Sequence, residues 1–267
     1  MRNDIPPIAM GFWRWAVALL ILLPIAAPEL RRKWHVVSAN WQTLTLLGLL
    51  GAVVFNTLIY VGLQYTAATN GVLFNSIAPI LIILLSWMIA RQRISTLQTC
   101  GVLLSLIGVL AIVARGDFVA LAAFHFNRGD LWLIAAMLLW AIYTIVLRRR
   151  PPELSAMGFL AAMLVLSLPF LLPFYLWEFG ERGGFSLTPA TVAALAYYGT
   201  IPSIVACLFW NRGVAQVGPN KAGLFVHLMP VFGALLSVIF LGERLYAYHY
   251  AGAALIFGGL YLTSRRS

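Results

Sequence analysis

The sequence predicts an all-α integral membrane protein whose two halves are inverted copies of one repeat unit. The first observation behind this prediction is composition: of the 267 residues, 62% are hydrophobic and only 10% are charged, and the mean hydropathy is +0.91. Soluble domains are about half apolar and about a quarter charged, so this chain has too little polar surface to face water. The other two observations are the length of the apolar runs and a similarity between the halves.

The apolar runs are continuous and have the length of a membrane-spanning helix. About 20 residues, rising about 1.5 Å each, cross the roughly 30 Å hydrocarbon core, whereas barrel strands would alternate apolar and polar residues. A helix also satisfies its own backbone hydrogen bonds, as a span in lipid must. The sequence predicts nine spans: Ile8–Ile25, Thr43–Gly62, Gly71–Ala90, Thr96–Ala114, Leu131–Leu147, Ala156–Phe174, Thr191–Trp210, Ala222–Leu241 and Tyr246–Thr263.

The basic residues predict how the chain is oriented. Of the 18 lysine and arginine residues, twelve fall on one side of the predicted spans, five fall on the other, and Arg14 lies inside a span. The positive-inside rule makes the richer side cytoplasmic, which places the C-terminus inside. The same rule accounts for the net charge of +10, so we expect a lipid bilayer and not a nucleic acid as the partner.

The two halves align with each other when the first is shifted by 151 positions. The shift needs no gap over about sixty residues and superposes Gly48 on Gly199, Pro79 on Pro230, Gly101 on Gly252 and Gly108 on Gly259. Upstream, a shift of 147 aligns the four residues from Ala9 with the four from Ala156. A unit of five helices has an odd number of spans, so its second copy inserts upside down.

This alignment leaves the first helix of the first copy without a match. The sequence therefore predicts a ten-helix parent fold that starts here at its second helix, with helices 2–5 in residues 1–114 and helices 6–10 in residues 130–267. A secretory signal peptide is the competing interpretation of the first thirty residues. Arg14 within the apolar stretch and the match to an internal helix favour a span.

Two ionisable residues, Arg14 and His227, fall inside predicted spans, where such groups usually face a cavity or a partner. Arg14 is a candidate fixed cation for a substrate carboxylate, and the alternative is a side chain that snorkels to the headgroups. His227 is a candidate for proton coupling, and the alternative is a hydrogen bond to a backbone carbonyl. Every carboxylate falls in a loop or at a span end, so we expect no buried acid to act as a proton relay.

Polar and aromatic side chains inside the spans are candidate substrate-binding groups. Asn56, Tyr60 and Gln64 form a stripe at i, i+4 and i+8 on one helical face, which in lipid must turn inward. The other candidates are Asn75, Trp140, Tyr143, Trp210 and Asn211. Such residues hold an amphipathic solute by stacking and hydrogen bonding, or they join helices to one another, and the sequence leaves both roles open.

Pro79 and Pro230 occupy matching positions in the two halves and are predicted to be mid-helix hinges. Proline removes one backbone hydrogen bond and kinks a helix. Matched interruptions in two inverted copies are typical of the substrate region of a transporter.

Motifs of soluble and membrane enzymes are not found in the sequence. It has no phosphate-binding loop, no nucleophile elbow, no zinc-binding HExxH and no dinucleotide fingerprint. We therefore expect neither catalysis nor a cofactor or bound metal. ATP-driven pumping is not encoded in this chain.

Several runs of residues resemble the EamA branch of the drug/metabolite transporter superfamily. They are Phe12-x-Arg14-Trp15, Thr66–Asn70 with Ser76-x-x-Pro79, Gly218–Gly223 with Pro230, Leu241–Leu245, and Gly252–Ile256 with Gly259. Within that branch the chain looks most similar to bacterial amino-acid exporters of the YddG type. It differs from the family pattern at residues 91–93, where the first copy lacks the acidic position that the second copy has at Glu243.

The resemblance implies a multi-pass protein of the bacterial inner membrane, with a cavity that opens alternately to each side and with Arg14 on a helix at its border. The expected function is export of small metabolites, with amino acids, including aromatic ones, as the leading class. The alternative is a passive channel, or a translocator of lipid or nucleotide conjugates from the same superfamily. The oligomeric state stays open, with a monomer among the alternatives.

Overall fold

A computed structural model describes residues 5–91, 95–117 and 126–264, and all regular structure in these residues is helical. The first half contains α1 (Pro7–Arg32), α2 (Trp34–Ala39), α3 (Trp41–Gly48), α4 (Val54–Tyr65), α5 (Ala68–Asn75), α6 (Ala78–Ala90) and α7 (Thr96–Val113). The second half contains α8 (Arg128–Val146), α9 (Ala156–Ser167), α10 (Leu172–Arg182), α11 (Pro189–Thr200), α12 (Ala206–Val217), α13 (Pro219–Leu224), α14 (Met229–Leu241) and α15 (Ala247–Ser264).

Short π-helical and 3-10 segments join some of these helices into longer rods. A π-helical turn, Leu49–Val53, connects α3 to α4, and a second one, Ile201–Val205, connects α11 to α12. A 3-10 turn, Leu168–Phe170, lies between α9 and α10, and another, Phe225–Leu228, lies between α13 and α14.

The starts of α7 and α8 are capped by side chains that bind the free backbone N–H groups of the first turn. Ser95 accepts a hydrogen bond from the backbone of Gln98, whose side chain accepts one in return from the Ser95 backbone, at 3.3 and 3.0 Å. Asn127 and Asp130 form the same reciprocal cap at the start of α8. Such caps satisfy donors that would otherwise lack a partner.

Seven helical segments in the described residues are long and apolar enough to cross a membrane, and the bent pair α9–α10 raises the number to eight. The count differs from the nine predicted. The ninth predicted span does form α15, but its first turn contains Tyr248, His249 and Tyr250, which lower its apolar character. The pair α9–α10 bends by 48° where Pro169 and Pro173 begin new helical segments, so the predicted continuous span is broken there.

The two halves share one backbone plan in the described residues. Adding 151 to the bounds of α6 gives those of α14, and adding 151 to the bounds of α7 gives those of α15. The residues after α6 and α14, Arg91 and Gly242, both adopt left-handed conformations, with φ of 50° and 66°. The two π-helical turns also correspond, within one position.

The contact between α7 and α15 shows that the second copy is inverted. A Cβ atom placed on Gly101 would meet the carbonyl oxygen of Gly259 at 2.5 Å, and one on Gly108 would meet that of Gly252 at the same distance. The helices therefore run antiparallel, and each glycine pair is the image of the other under the repeat. Only glycine allows backbones to approach so closely.

The prediction that no acid lies buried is wrong for Asp130 and Glu178. Both lie at helix ends, as the sequence indicated, but neighbouring helices cover those ends. Glu178 is 3% exposed and accepts hydrogen bonds from the backbone N–H groups of Ile8 and Ala9, at 3.2 and 2.7 Å. Asp130 accepts the Thr66 hydroxyl at 2.9 Å. Both acids are thus engaged in holding helix ends.

Pro79 and Pro230 each lie within one candidate membrane span, Thr69–Ile89 and Pro219–Leu241. Within these spans, Pro79 is in the first turn of α6 and Pro230 in the first turn of α14, and a 3-10 turn, Phe225–Leu228, precedes α14. Proline is tolerated in a first turn, because its missing N–H would have no intrahelical acceptor there. The hinge role of the two prolines stays a prediction.

Candidate functional site

A cavity of about 360 Å³ lies at the centre of the helix bundle. Five of the ten predicted binding residues line it: Arg14, Asn56, Asn75, Trp140 and Trp210. Its walls come from α1, the α3–α4 rod, the end of α5, α8, the α11–α12 rod, the 3-10 turn before α14 and the start of α14. Its volume falls in the range of sites for small molecules.

The wall contains equivalent surfaces of the two repeats. The shift of 151 relates Gly51 to Pro202 and Asn56 to Cys207, and all four residues line the cavity. The cavity is therefore placed between the two copies, at the position where their equivalent faces meet. Inverted-repeat transporters bind substrate at such an interface.

Arg14 is the central polar group of the cavity. Its side chain is only 8% exposed, and its Nε donates a hydrogen bond to Ser203 Oγ at 2.6 Å. Its Nη1 donates to Asn56 Oδ1 at 2.7 Å and to the Tyr60 hydroxyl at 2.9 Å. The guanidinium also lies 5.1 Å from the ring centre of Trp15. A buried, bonded side chain is inconsistent with the snorkelling alternative.

The acceptors of Arg14 are themselves oriented by hydrogen bonds to the backbone. The Ser203 hydroxyl donates to the carbonyl of Tyr198 at 2.6 Å, which leaves its oxygen lone pairs for Arg14. Asn56 donates from Nδ2 to the carbonyl of Ala52 at 2.9 Å, and this directs its Oδ1 toward the guanidinium. Arg14 therefore occupies a prearranged site, in which the acceptors of its Nε and Nη1 donors are already in place.

The partners of Arg14 are all neutral. Among the described residues, the ion pair that forms is between Lys33 and Glu29, at 2.8 Å, and Arg14 has no carboxylate partner. The described residues around the cavity likewise include no aspartate or glutamate. A buried charge without a counterion is costly, because neutral hydrogen bonds only partly replace hydration. The cavity wall therefore carries a positive charge that no acidic side chain among the described residues balances.

An aromatic wall lies beside the charge. Trp140 packs between Phe55 and Trp210, with ring centres 4.7 and 5.2 Å apart. The indole Nε1 of Trp210 is buried and has no hydrogen-bond partner within the described part of the chain. The wall offers apolar surface together with one free N–H donor.

Other predicted residues join helices and do not line the cavity. The Tyr143 hydroxyl donates to Asn211 Oδ1 at 2.6 Å, and both side chains are buried between α8 and α12. Gln64 lies at the end of α4, outside the cavity wall.

His227 also lies outside the wall and bridges the repeats. It is fully buried, with Nε2 3.0 Å from the carbonyl oxygen of Ser76 and Nδ1 2.7 Å from Ser105 Oγ. Because a carbonyl only accepts, Nε2 carries a proton. Ser76 is the repeat counterpart of His227, so the contact lies on the symmetry axis between the copies.

Sequence reasoning missed Ser203, Phe55 and Cys207 as components of the site. A signal existed for Cys207, because the shift of 151 carries the predicted residue Asn56 onto it. Phe55 is one of many aromatic residues in apolar runs, and nothing in its spacing distinguishes it from a residue that faces lipid.

The fold and the central cavity define a polytopic helical membrane transporter. The EamA-like transporter family model matches residues 1–114 and 127–265, and the chain belongs to this family. The expected family resemblance is thereby confirmed.

Similar proteins carry transporter names. The uncharacterized transporters YetK and YyaM of Bacillus subtilis are 29% and 25% identical; the alignments cover 98% and 97% of this chain and 80% and 84% of those proteins. A probable amino-acid metabolite efflux pump of Salmonella typhimurium is 27% identical over 64% of this chain and 58% of that protein. A solved crystal structure shares the fold, with a TM-score of 0.77 and 19% identity over 98% of this chain and 88% of the other.

Proposed function

We propose that this EamA-family transporter exports small metabolites that bear a carboxylate group, with amino acids as the first class to test. The observation that carries the proposal is Arg14, a buried cation with neutral partners at the wall of a central cavity. A carboxylate binds a guanidinium through charge-assisted hydrogen bonds. The name of the Salmonella relative supports efflux as the direction and amino-acid metabolites as the class.

The proposed mechanism is alternating access in the bacterial inner membrane, with the C-terminus in the cytoplasm. Two inverted copies around one site support it, because each copy is then able to adopt the arrangement of the other and expose the cavity to the opposite side. Pro79 and Pro230, each in the first turn of a helix at matched positions in the two copies, are the points at which we expect the rods to bend. The excess of basic residues on one side supports the orientation.

Efflux from proteoliposomes tests the proposal. Vesicles loaded with a mixed pool of amino acids and carboxylate metabolites would be read by mass spectrometry, with protein-free vesicles as the blank. We expect saturable, selective loss of a few carboxylates. Arg14→Gln should lower the rate at least tenfold, because a removed charge-assisted interaction is worth roughly 1.5–3 kcal/mol. Arg212→Gln, which changes an exposed arginine, is the matched control and should leave flux unchanged.

The outcomes separate the alternatives. Flux that does not saturate would replace the proposal with a passive channel. Selective loss of lipids or nucleotide conjugates with no loss of small carboxylates would replace it with a translocator of those compounds. Because Arg14 is buried, Arg14→Lys and gel filtration of each variant distinguish a lost binding group from a lost fold. Equal flux with folded Arg14→Gln would contradict the assigned role of Arg14.

A further inference from the structure

The cavity has a charge pattern that discriminates among carboxylates. Arg14 is the charged residue among the described residues of the wall, and it has no acidic neighbour there. The buried acids Asp130 and Glu178 are elsewhere and are already bonded to helix ends. A zwitterionic amino acid would bring an ammonium group that finds no counterion in this wall. It would also place that ammonium near the guanidinium, where like charges repel.

Hydrogen-bond acceptors for an ammonium group are equally scarce. Asn56 Oδ1 accepts a hydrogen bond from Arg14. Asn75 Nδ2 lies 2.7 Å from Met229 Sδ, so the acceptor that Asn75 offers in the wall is its neutral amide oxygen. An ammonium group has three donors and no acceptor. One neutral amide oxygen does not replace the three acceptors that such a group requires when water is removed.

The cavity wall does, by contrast, contain hydrogen-bond donors that have no acceptor in the part of the chain that the structure describes. The second terminal nitrogen of Arg14, Nη2, forms no hydrogen bond with any described residue, since the bonds of that side chain use Nε and Nη1. The buried Nε1 of Trp210 is the second free donor in the wall. Donors without acceptors complement a group with oxygens and a negative charge.

The aromatic wall accounts for the rest of the ligand. Cations bind to the open faces of aromatic rings. In this wall the Trp140 ring packs against Phe55 and Trp210, with ring centres 4.7 and 5.2 Å apart, so other rings occupy part of its surface. The wall thus provides apolar contact for a hydrocarbon tail more readily than a site for a cation. A volume of about 360 Å³ is suited to one aromatic ring with a short chain.

We propose that the preferred substrate is an organic anion, an aromatic or apolar monocarboxylate without an ammonium group, and that amino acids bind the same cavity more weakly. This inference rests on the proposed function, because it concerns the selectivity of the same site. The carboxylate contacts Arg14 Nη2 and Trp210 Nε1, and the apolar tail contacts Phe55 and Trp140.

Three matched compounds test the proposal. 3-Phenylpropionate, phenylalanine and 2-phenylethylamine share one skeleton and carry the carboxylate alone, both groups, or the ammonium alone. Binding to the purified full-length chain would be measured by isothermal titration calorimetry at pH 7.5, which avoids leakage of weak acids through vesicles. We expect 3-phenylpropionate to bind at least tenfold more tightly than phenylalanine, and 2-phenylethylamine not to bind.

Two variants assign the contacts. Arg14→Gln should weaken 3-phenylpropionate binding at least tenfold, while Trp210→Phe, which keeps an aromatic ring and removes the indole N–H, should weaken it two- to fivefold. Arg212→Gln should change neither value. Gel filtration confirms that each variant is folded.

The results distinguish failure of the inference from failure of the proposed function. If phenylalanine binds as tightly as 3-phenylpropionate or more tightly, the inference is overturned and the proposed amino-acid function is strengthened. Tighter binding of 2-phenylethylamine would overturn the carboxylate requirement in both. If neither carboxylate binds to the folded protein, but Arg14-dependent efflux of other carboxylates occurs in vesicles, only the inference fails.

Discussion

The two copies of the repeat agree in their backbone and differ in the side chains that face the cavity. Helices α7 and α15 have corresponding bounds, and each contributes a glycine pair to their contact. In the cavity, Asn56 of the first copy corresponds to Cys207, and Arg14 corresponds to Ala161 under the shift of 147. The scaffold is thus duplicated, whereas the polar chemistry lies mainly in the first copy.

Two glutamates extend this comparison to the ends of the helices. Glu178 binds the first turn of α1, and Glu29 accepts hydrogen bonds from the backbone N–H and the hydroxyl of Ser155, at the start of α9. Glu29 and Glu178 are related by a shift of 149 positions. The four residues from Ala9 in α1 and the four from Ala156 in α9 are related by a shift of 147, so the second copy has two extra residues before its glutamate. The extra residues fall within the α9–α10 segment, which contains the bend. Each acid therefore joins α1 to α9–α10 at one end of the pair.

The largest expected effect comes from breaking the shared backbone contact. Gly101→Ala would place a Cβ 2.5 Å from the carbonyl oxygen of Gly259, so the helices must separate. We expect a loss of about 3 kcal/mol in the free energy of unfolding, as for other overpacked sites. The melting temperature in detergent measures it.

Symmetry provides both a second test and a control for that prediction. Gly108→Ala changes the equivalent contact with Gly252 and should cost a similar amount. Gly258→Ala is the control, because its Cβ would meet only Leu104 Cδ2 at an ordinary 3.5 Å. A Gly101 variant as stable as the Gly258 variant would show that the close contact does not hold the two copies together.

The second prediction concerns the two glutamates. Glu178→Gln should cost about 2 kcal/mol, because a buried carboxylate that accepts two backbone N–H groups is replaced by an amide with only one accepting oxygen. Glu29→Gln should cost less than about 1 kcal/mol, since the Glu29 side chain is 16% exposed and its ion pair with Lys33 is partly solvated. Melting temperatures of both variants measure the difference. Equal losses of unfolding free energy would contradict the expectation that the more buried glutamate contributes more to stability.

Composition and repetition allow much of this fold to be predicted, because both act over long stretches of chain. Apolar runs give the spans, and paired glycines such as Gly101 and Gly252 give the repeat. The bend at Pro169 and Pro173 was not predicted, because proline in an apolar run is compatible with a kink or a new helix start. The burial of Glu178 depends on which helix covers the end of α10, and no local sequence pattern predicts which helix that is.

The site was predictable only in part. Asn56 and Tyr60 are four residues apart and do converge on Arg14, as one face of a helix requires. The same reasoning failed to separate them from Tyr143, because a polar residue that faces a cavity and one that faces a helix have the same spacing. Ser203 was hidden for another reason: it lies in a π-helical turn, whose wider register alters which face a residue occupies.

The smallest expected effect separates the roles of two tyrosines. Tyr60→Phe removes one acceptor from Arg14 and leaves the bonds to Ser203 and Asn56 in place, so transport should fall about two- to fivefold, or roughly 0.5–1 kcal/mol, with little loss of stability. Tyr143→Phe should have the opposite profile. It leaves Asn211 Oδ1 buried without its donor, at a cost of about 1–2 kcal/mol in unfolding free energy, and transport should be unchanged.

The comparison is informative because Tyr60 and Asn211 are repeat counterparts, related by 151 positions. In the first copy this position serves the cavity cation, and in the second it joins α12 to α8. Flux assays and melting temperatures of both tyrosine variants measure the two profiles together. If Tyr143→Phe lowered transport as much as Tyr60→Phe, the polar chemistry would be shared by both copies. The conclusion that the backbone is duplicated while the polar binding groups belong mainly to the first copy would then be wrong.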